Sequence, residues 1–270
     1  MKRTTVAQPV KIQGTGLHRG GDIDVVISPG THGIRFVKDG ISIPAQPDNI
    51  VDTRLNTTIG AGEVRIATIE HLLSALYGLG ITDCEIAVSG DEIPAMDGSA
   101  LPFVDHIQRC GIRELDEEVS PIVIEEALRE EKGDSWVEIV PGAFSVSYGI
   151  DFTEQAIGRQ HYTYEGRDYV GEIAPARTFG LLRDVEMMRS LGLAQGGGLH
   201  NAVVVDGADV LNPEGLRFAD EFIRHKILDI LGDLWTLGAP VVGAIQAYKA
   251  SHALHIRLAA KIHALYRGDR

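Results

Sequence analysis

Cysteine is scarce. The 270 residues hold two, Cys84 and Cys110, far apart and outside any CxxC spacing. Such a pair builds neither a disulfide framework nor a thiolate metal cluster, so the expectation is two structural thiols in a reducing compartment, the cytoplasm. Long apolar runs are missing too. No stretch is apolar over the roughly 18 residues a membrane-spanning helix needs, and residues 1–10 show no signal-peptide pattern. Positive charge is short: 25 Lys and Arg stand against 38 Asp and Glu, a net charge of −13. That excludes an extended nucleic-acid surface but leaves room for a small basic pocket facing an anionic ligand. Asp97-Gly98-Ser99 is turn chemistry and lacks the GxSxG context of a nucleophile elbow.

What is present is an ordinary globular composition, 44% hydrophobic and 23% charged, long enough for a large core or two domains. The most informative stretch lies between Leu216 and Leu237, which runs without proline and reads as helix. Within it His225, Asp229 and Asp233 recur every four residues. Successive helical residues turn by about 100°, so the three share one face. The stripe lies beside Ile227, Leu228, Ile230, Leu231 and Leu234, where polar groups cost free energy unless something satisfies them. A divalent metal is one such partner. An ordinary His–Asp pair on a half-exposed helix is the other, and the spacing alone does not choose between them.

The rest reads as two sets of antiparallel strands, each followed by helices. Asp22–Ile27 and Gly33–Val37 alternate as half-buried strands, and the glycine-dense Ile12–Gly21 ahead of them is expected to be a loop that includes His18. Ile43–Asn56 reads as a connection, and Asn56–Ile59 with Glu63–Ile66 as a hairpin. Thr68–Leu79 reads as a helix capped by Thr68. Its first turn carries Glu70 and His71, a place where the helix dipole alone favours a glutamate. Cys84–Val88 is a strand, Ile93–Ala100 a turn, Pro102–Cys110 a helix, and the acidic Gly111–Val119 a domain boundary. Pro121–Leu128, Trp136–Val140, Phe144–Ile150 and His161–Tyr164 read as strands. Ile173–Leu182 is expected to begin a helical region, followed by a helix Asp184–Leu191, a turn Gln195–Gly198 and a strand Ala202–Val205. Strand Gly243–Lys249 and helix His252–Tyr266 close the chain. The pattern predicts an α+β fold with domains at 1–117 and 118–270 and an insert at about 173–205. The two halves correspond in architecture, without a residue-level repeat.

Six segments, in order, resemble one family. They are Gly14-Thr15-Gly16-Leu17-His18-Arg19-Gly20, Thr68-Ile69-Glu70-His71-Leu72-Leu73-Ser74, Ile93-Pro94-Ala95-Met96-Asp97-Gly98-Ser99-Ala100, Ala176-Arg177-Thr178-Phe179, Leu211-Asn212-Pro213-Glu214-Gly215-Leu216-Arg217-Phe218, and Arg224-His225-Lys226 through Gly232-Asp233. Together they resemble the UDP-3-O-acyl-N-acetylglucosamine deacetylases, zinc enzymes of lipid A biosynthesis in Gram-negative bacteria, across essentially the whole chain.

The resemblance implies two α+β domains packed as a sheet–helices–sheet sandwich, with the site between them. It implies one Zn2+ per chain, held by His71, His225 and Asp229 with a fourth position open. Glu70 would be the general base, and the Thr178 hydroxyl would stabilise the oxyanion formed at the N-acetyl carbonyl. His252 would be a cationic partner oriented by Asp233. Lys226 would meet a substrate phosphate, Phe179 would contact substrate, and Asp151 and Phe152 match a segment near the uridine diphosphate. Leu182, Val185, Met188, Ala202 and Val204 would line a passage for the acyl chain, although an ordinary small core has the same periodicity. The implied reaction releases acetate and a free amine from the nucleotide sugar, with no nucleic-acid partner. One departure stands out: Ser251 occupies a position where the family commonly has glycine. Two other readings remain open, a serine hydrolase built on Ser99 and a non-catalytic protein that holds the acylated nucleotide sugar.

Overall fold

Two five-stranded sheets follow one plan. The first has the order Val10–Thr15, Asp22–Pro29, Cys84–Val88, Ile34–Lys38, Ile41–Pro44. The second has the order Leu128–Lys132, Ser135–Val140, Ala244–Tyr248, Ser145–Asp151, Arg159–Tyr164. In each, four consecutive strands make two hairpins and a fifth enters between them. The fifth pairs antiparallel with the first hairpin and parallel with the second. The sheets, expected to be antiparallel, are therefore mixed. A strand that returns after a helical crossover is free to run parallel to its neighbour, which a tight hairpin forbids. The computed structural model describes residues 1–190, 192 and 194–267, and the backbone alone for residues 186, 188–190 and 267.

The helices are α1 (Glu70–Gly78), α2 (Leu101–Cys110), α3 (Tyr169–Glu172), α4 (Leu182–Ser190), α5 (Glu221–Trp235) and α6 (His252–Arg267). α1 leads into the inserted strand of the first sheet and α5 into that of the second. The two pack on each other, α2 rests on the first sheet, and α5 and α6 rest on the second. Helices thus lie between the sheets in an α+β sandwich. α5 is buried on nearly every face, from Phe222 to Trp235, so the half-exposed reading of its polar stripe is excluded.

One residue sets how closely α1 and α5 cross. A Cβ on Gly232 would stand 2.0 Å from Glu70 O and 3.1 Å from Ser74 N. Glycine in a helix interior costs roughly 1 kcal/mol against alanine. Here its missing side chain lets the backbones touch, which brings Glu70 and His71 beside Asp229 and Asp233.

Several boundaries differ from expectation for identifiable reasons. Val10–Thr15 continues as strand through Gly14, where a Cβ would lie 2.8 Å from Pro94 Cβ, so that glycine serves a close approach. Thr68 does not cap α1: Ile69 holds the cap position and no side chain bonds there. In the expected strand Pro121–Leu128 only Ile122–Val123 pairs, and Leu128 begins a charged edge strand whose polarity hid it. The expected helical region Ile173–Leu182 contains a strand, Phe179–Leu181, parallel to Val203–Asp206. α5 starts at Glu221, since residues 213–220 form turns with Gly215 at φ 69°. The acidic stretch after α2 holds an exposed strand, Ile112–Glu118, on Lys2–Val6. Residues 50–66 form a three-stranded sheet rather than one hairpin. Among the described residues no helix is long and apolar enough to cross a membrane.

Candidate active site

His71 comes from the first turn of α1, and His225 and Asp229 from successive turns of α5. Their donor atoms lie within 4.8 Å of one another, and all three residues are buried. Asp229 Oδ1 is 3.3 Å from His225 Nε2 and 3.7 Å from His71 Nε2. Two donors each about 2.1 Å from one tetrahedral ion stand roughly 3.4 Å apart, so this spacing suits a single zinc-sized cation. The two imidazoles meet edge to face, with centroids 5.0 Å apart. His225 Nδ1 lies 3.1 Å from the Ala176 carbonyl, which can only accept, so Nδ1 carries the proton and Nε2 presents its lone pair.

The protonation states agree. Burial pushes His71 down to about 3, and burial also lowers His225, so both rings are neutral as ligation requires. Burial alone would raise Asp229, but the surrounding imidazoles and the Lys226 ammonium hold it well below the usual carboxylate range. Lys226 Nζ donates to Asp229 Oδ2 at 2.5 Å. Asp229 Oδ1 is buried without a hydrogen-bond partner among the described residues. A naked carboxylate oxygen buried beside two neutral imidazoles, one of which presents its lone pair, is unfavourable unless a cation sits among them, and the donor set therefore fits a divalent metal.

One turn further along α5, Asp233 organises a second network. Its Oδ2 accepts from His252 Nδ1 and from His255 Nδ1, each at 2.8 Å, and its Oδ1 accepts from Thr57 Oγ1 at 2.5 Å. Burial opposes ionisation of Asp233, yet His252 lowers it to about 2. Burial likewise opposes charge on His252, yet Asp233 raises it to about 9. Glu70 is pushed up to about 7, by burial first. Its Oε2 accepts the Thr57 N–H at 3.0 Å. His255, Thr57 and Tyr148, whose hydroxyl lies 3.2 Å from His255 Nε2, were missed in the sequence. The readable signal was His255 three residues after His252 on one helix face.

Thr178 stands at the start of the strand Phe179–Leu181. Its N–H donates to Gly98 O at 2.7 Å, and its carbonyl accepts from Val203 N–H at 2.8 Å. Behind it the buried Arg177 is clamped to the buried Glu221, with Nε to Oε1 at 2.8 Å and Nη2 to Oε2 at 3.1 Å. This ion pair fixes the Thr178 segment to the first turn of α5. It was not anticipated, although Arg177 lies within a quoted segment.

Glu70, His71, Phe152, Thr178, Phe179, His225, Lys226, Asp229 and His252 all line one cavity of about 570 Å³. Asp233 lies behind it. Asp151 does not line it; Arg159 and Tyr248 hold that carboxylate on the second sheet. A second cavity of about 300 Å³ is lined by Leu182, Val185, Ala202 and Val204 and shares His18, Thr178 and Phe179 with the first. The Met188 side chain lies outside the described residues. His18 is a loop residue, as expected, but its loop forms a wall of both cavities. Ser251 is exposed and its carbonyl accepts from Leu254 and His255 N–H groups, so it caps α6 and lines neither cavity. Ser99 is buried, and its hydroxyl donates to Asp97 Oδ1 at 2.7 Å, with no imidazole among its partners there. The serine-hydrolase reading has no geometry to rest on.

Residues 3–264 match the family model described as LpxC, UDP-3-O-acyl N-acetylglycosamine deacetylase. The chain belongs to this family. Among curated relatives, the UDP-3-O-acyl-N-acetylglucosamine deacetylase of Myxococcus xanthus is 44% identical over 267 residues, covering 96% of this chain and 85% of the relative. Those of Campylobacter hominis and Helicobacter pylori are 45% and 42% identical over 265 residues, covering 96% of this chain and 90% of each relative. The family consists of deacetylases, which are hydrolases of an amide, and membership agrees with the buried His/Asp cluster between α1 and α5.

Proposed function

We propose that this chain hydrolyses the N-acetyl group of UDP-3-O-acyl-N-acetylglucosamine in lipid A biosynthesis, using one zinc ion held by His71, His225 and Asp229. The observation that carries the reading is the orphaned Asp229 Oδ1 facing two neutral imidazoles beside a buried glutamate. Zinc bound there supplies Lewis-acid polarisation of the carbonyl and acidifies water from about 15.7 to roughly 7. Glu70, raised to about 7, is poised at neutral pH to take a proton from the attacking water. The Thr178 hydroxyl, fixed by its backbone bonds, donates to the carbonyl oxygen as negative charge develops on it. His252, raised to about 9 by Asp233, is an imidazolium that stabilises that charge and supplies a proton to the departing amine.

Lys226, on the rim beside Asp229, meets the diphosphate, and Phe152 and Phe179, 5.7 Å apart, form an aromatic corner toward the nucleotide sugar. Asp151 serves the uridine end. The acyl chain occupies the cavity lined by Leu182, Val185, Ala202 and Val204, with Met188 on the same helix. The two units run 1–117 and 118–270, with the insert at about 173–205. The compartment is the cytoplasm, where the free thiols Cys84 and Cys110 persist.

The test is acetate release from the nucleotide sugar by the pure protein, with and without chelator. Release that chelator abolishes and zinc restores is expected. Binding of substrate with no acetate released would instead favour the non-catalytic reading.

A further inference from the structure

Thr68 combines three features. Its φ is 58°, left-handed backbone that a β-branched residue adopts only under strain. Its hydroxyl is buried without a hydrogen-bond partner among the described residues, and the residue is 4% exposed. It also lines the cavity that holds Glu70, His71 and His252. Capping does not account for it, since α1 has no side-chain cap bond and its cap position is Ile69.

The strained conformation is imposed from both sides. On one side Ala67 N–H donates to Asp91 O at 2.9 Å, and Ile93 N–H donates to Ala67 O at 2.9 Å. On the other, Ile69 N–H donates to Thr57 O at 3.1 Å. The same Thr57 donates its own N–H to Glu70 and its hydroxyl to Asp233. Thr68 is therefore held by the scaffold that positions the general base. Glycine would meet this backbone without strain. Alanine would leave no polar atom in need of a partner.

We propose that Thr68 is a further substrate-contacting residue, whose hydroxyl hydrogen-bonds a polar atom of the N-acetylated sugar next to Glu70. The inference rests on the deacetylase reading and adds a contact to it. A hydroxyl both donates and accepts, so it suits an amide or a sugar hydroxyl equally. The orphaned hydroxyl is then a cost of the free protein that bound substrate relieves.

The experiment compares Thr68→Val, which removes the hydroxyl at similar shape, with Thr68→Ser, which keeps it. The valine variant is expected to lose about tenfold in kcat/KM, the size of one hydrogen bond to substrate. Its Tm should equal or exceed wild type, because a buried unpaired hydroxyl has gone. The serine variant should stay near wild-type kcat/KM. UDP-3-O-acyl-N-acetylglucosamine is also titrated calorimetrically into Glu70→Gln protein, where turnover is suppressed, with and without Thr68→Val. Weaker affinity on adding the valine is expected.

A valine variant at wild-type kcat/KM and unchanged affinity overturns the proposal and leaves the hydroxyl to solvent. So does a serine variant that falls as far as valine, or a loss that tracks a fall in Tm, since either marks a packing role. If wild type releases no acetate, the deacetylase reading fails, and the affinity arm still judges Thr68.

Discussion

Gly232 is where one added methyl group should damage both stability and chemistry. Gly232→Ala gains about 1 kcal/mol of helix propensity. Its new Cβ would stand 2.0 Å from Glu70 O, 2.8 Å from Glu70 C and 3.1 Å from Ser74 N. These are backbone atoms of α1, so no rotamer change relieves the clash. α1 and α5 have to separate by about 1 Å or more to recover ordinary contact. Overpacking of this kind costs about 1–3 kcal/mol, and a backbone obstacle belongs at the upper end. The net loss is about 2 kcal/mol, which lowers Tm by roughly 4–8 °C in a chain of this size. The same separation moves His71 away from Asp229, and a displacement of about 1 Å at a reacting centre can cost about 100-fold. Differential scanning calorimetry, zinc titration and acetate-release kinetics check the three consequences. A Gly232→Ala protein that melts with wild type and keeps wild-type kcat/KM would refute the close-crossing argument.

Asp229→Ala should reduce bound zinc from one per chain to nearly none while circular dichroism shows the fold intact; full occupancy would remove Asp229 from the ligand set. Glu70→Gln should retain zinc but lower kcat by about 100- to 10,000-fold, the range for loss of a general base, and an active zinc-replete variant would reassign the proton transfer. Glu221→Gln leaves the buried Arg177 guanidinium with only the exposed Glu214 carboxylate as charged partner among the described residues and should cost about 1–3 kcal/mol near pH 7. Burial would raise the Glu221 carboxyl above its ordinary 4.5, but Arg177 and the N–H groups of Arg177 and Arg217 hold it lower. A depressed folded pKa adds stability above the unfolded value and loses it as pH falls through the folded one. The gap between variant and wild type should thus be widest above about pH 4.5 and narrow below it; a gap that stays constant down to pH 3 in denaturant titrations would contradict the assignment.

How much was readable in the chain followed from whether the cause was local. The stripe His225, Asp229 and Asp233 is a property of helical geometry, and it was legible. So were Glu70 and His71 at a helix start, because the apolar periodicity of α1 is local too. Gly232 was read only as part of a quoted segment, since its role is contact with a backbone about 160 residues earlier, and no window of sequence records that. His255 escaped because its spacing of three from His252 shows only a shared helix face, and the Asp233 carboxylate that both face lies on another helix. Thr68 was misread for a related reason. Threonine before an apolar helix normally caps it, but here bonds to Asp91, Ile93 and Thr57 bend the backbone and override that preference. The edge strand Leu128–Lys132 was missed because edges carry charge, which masks alternation.

The repeated plan explains why the site lies where it does. Each half builds two hairpins, then departs into an insertion, then returns through a helix to the middle of its sheet. In the first half the departure is the small sheet of residues 50–66. In the second it is the segment from α3 to Val210. Both departures fall just before the central helix of their half, α1 or α5. Since those two helices cross at Gly232, both insertions emerge over the same crossing. Leu55 and Asn56 from the first and Thr178 to Leu181 from the second accordingly line one cavity above the His71–His225–Asp229 cluster. A donor cluster drawn from two helices needs walls that helices cannot supply. The plan delivers one wall from each half at the point where its chain turns inward. Neither half alone carries the three donors, so the cluster forms only when α1 and α5 have docked.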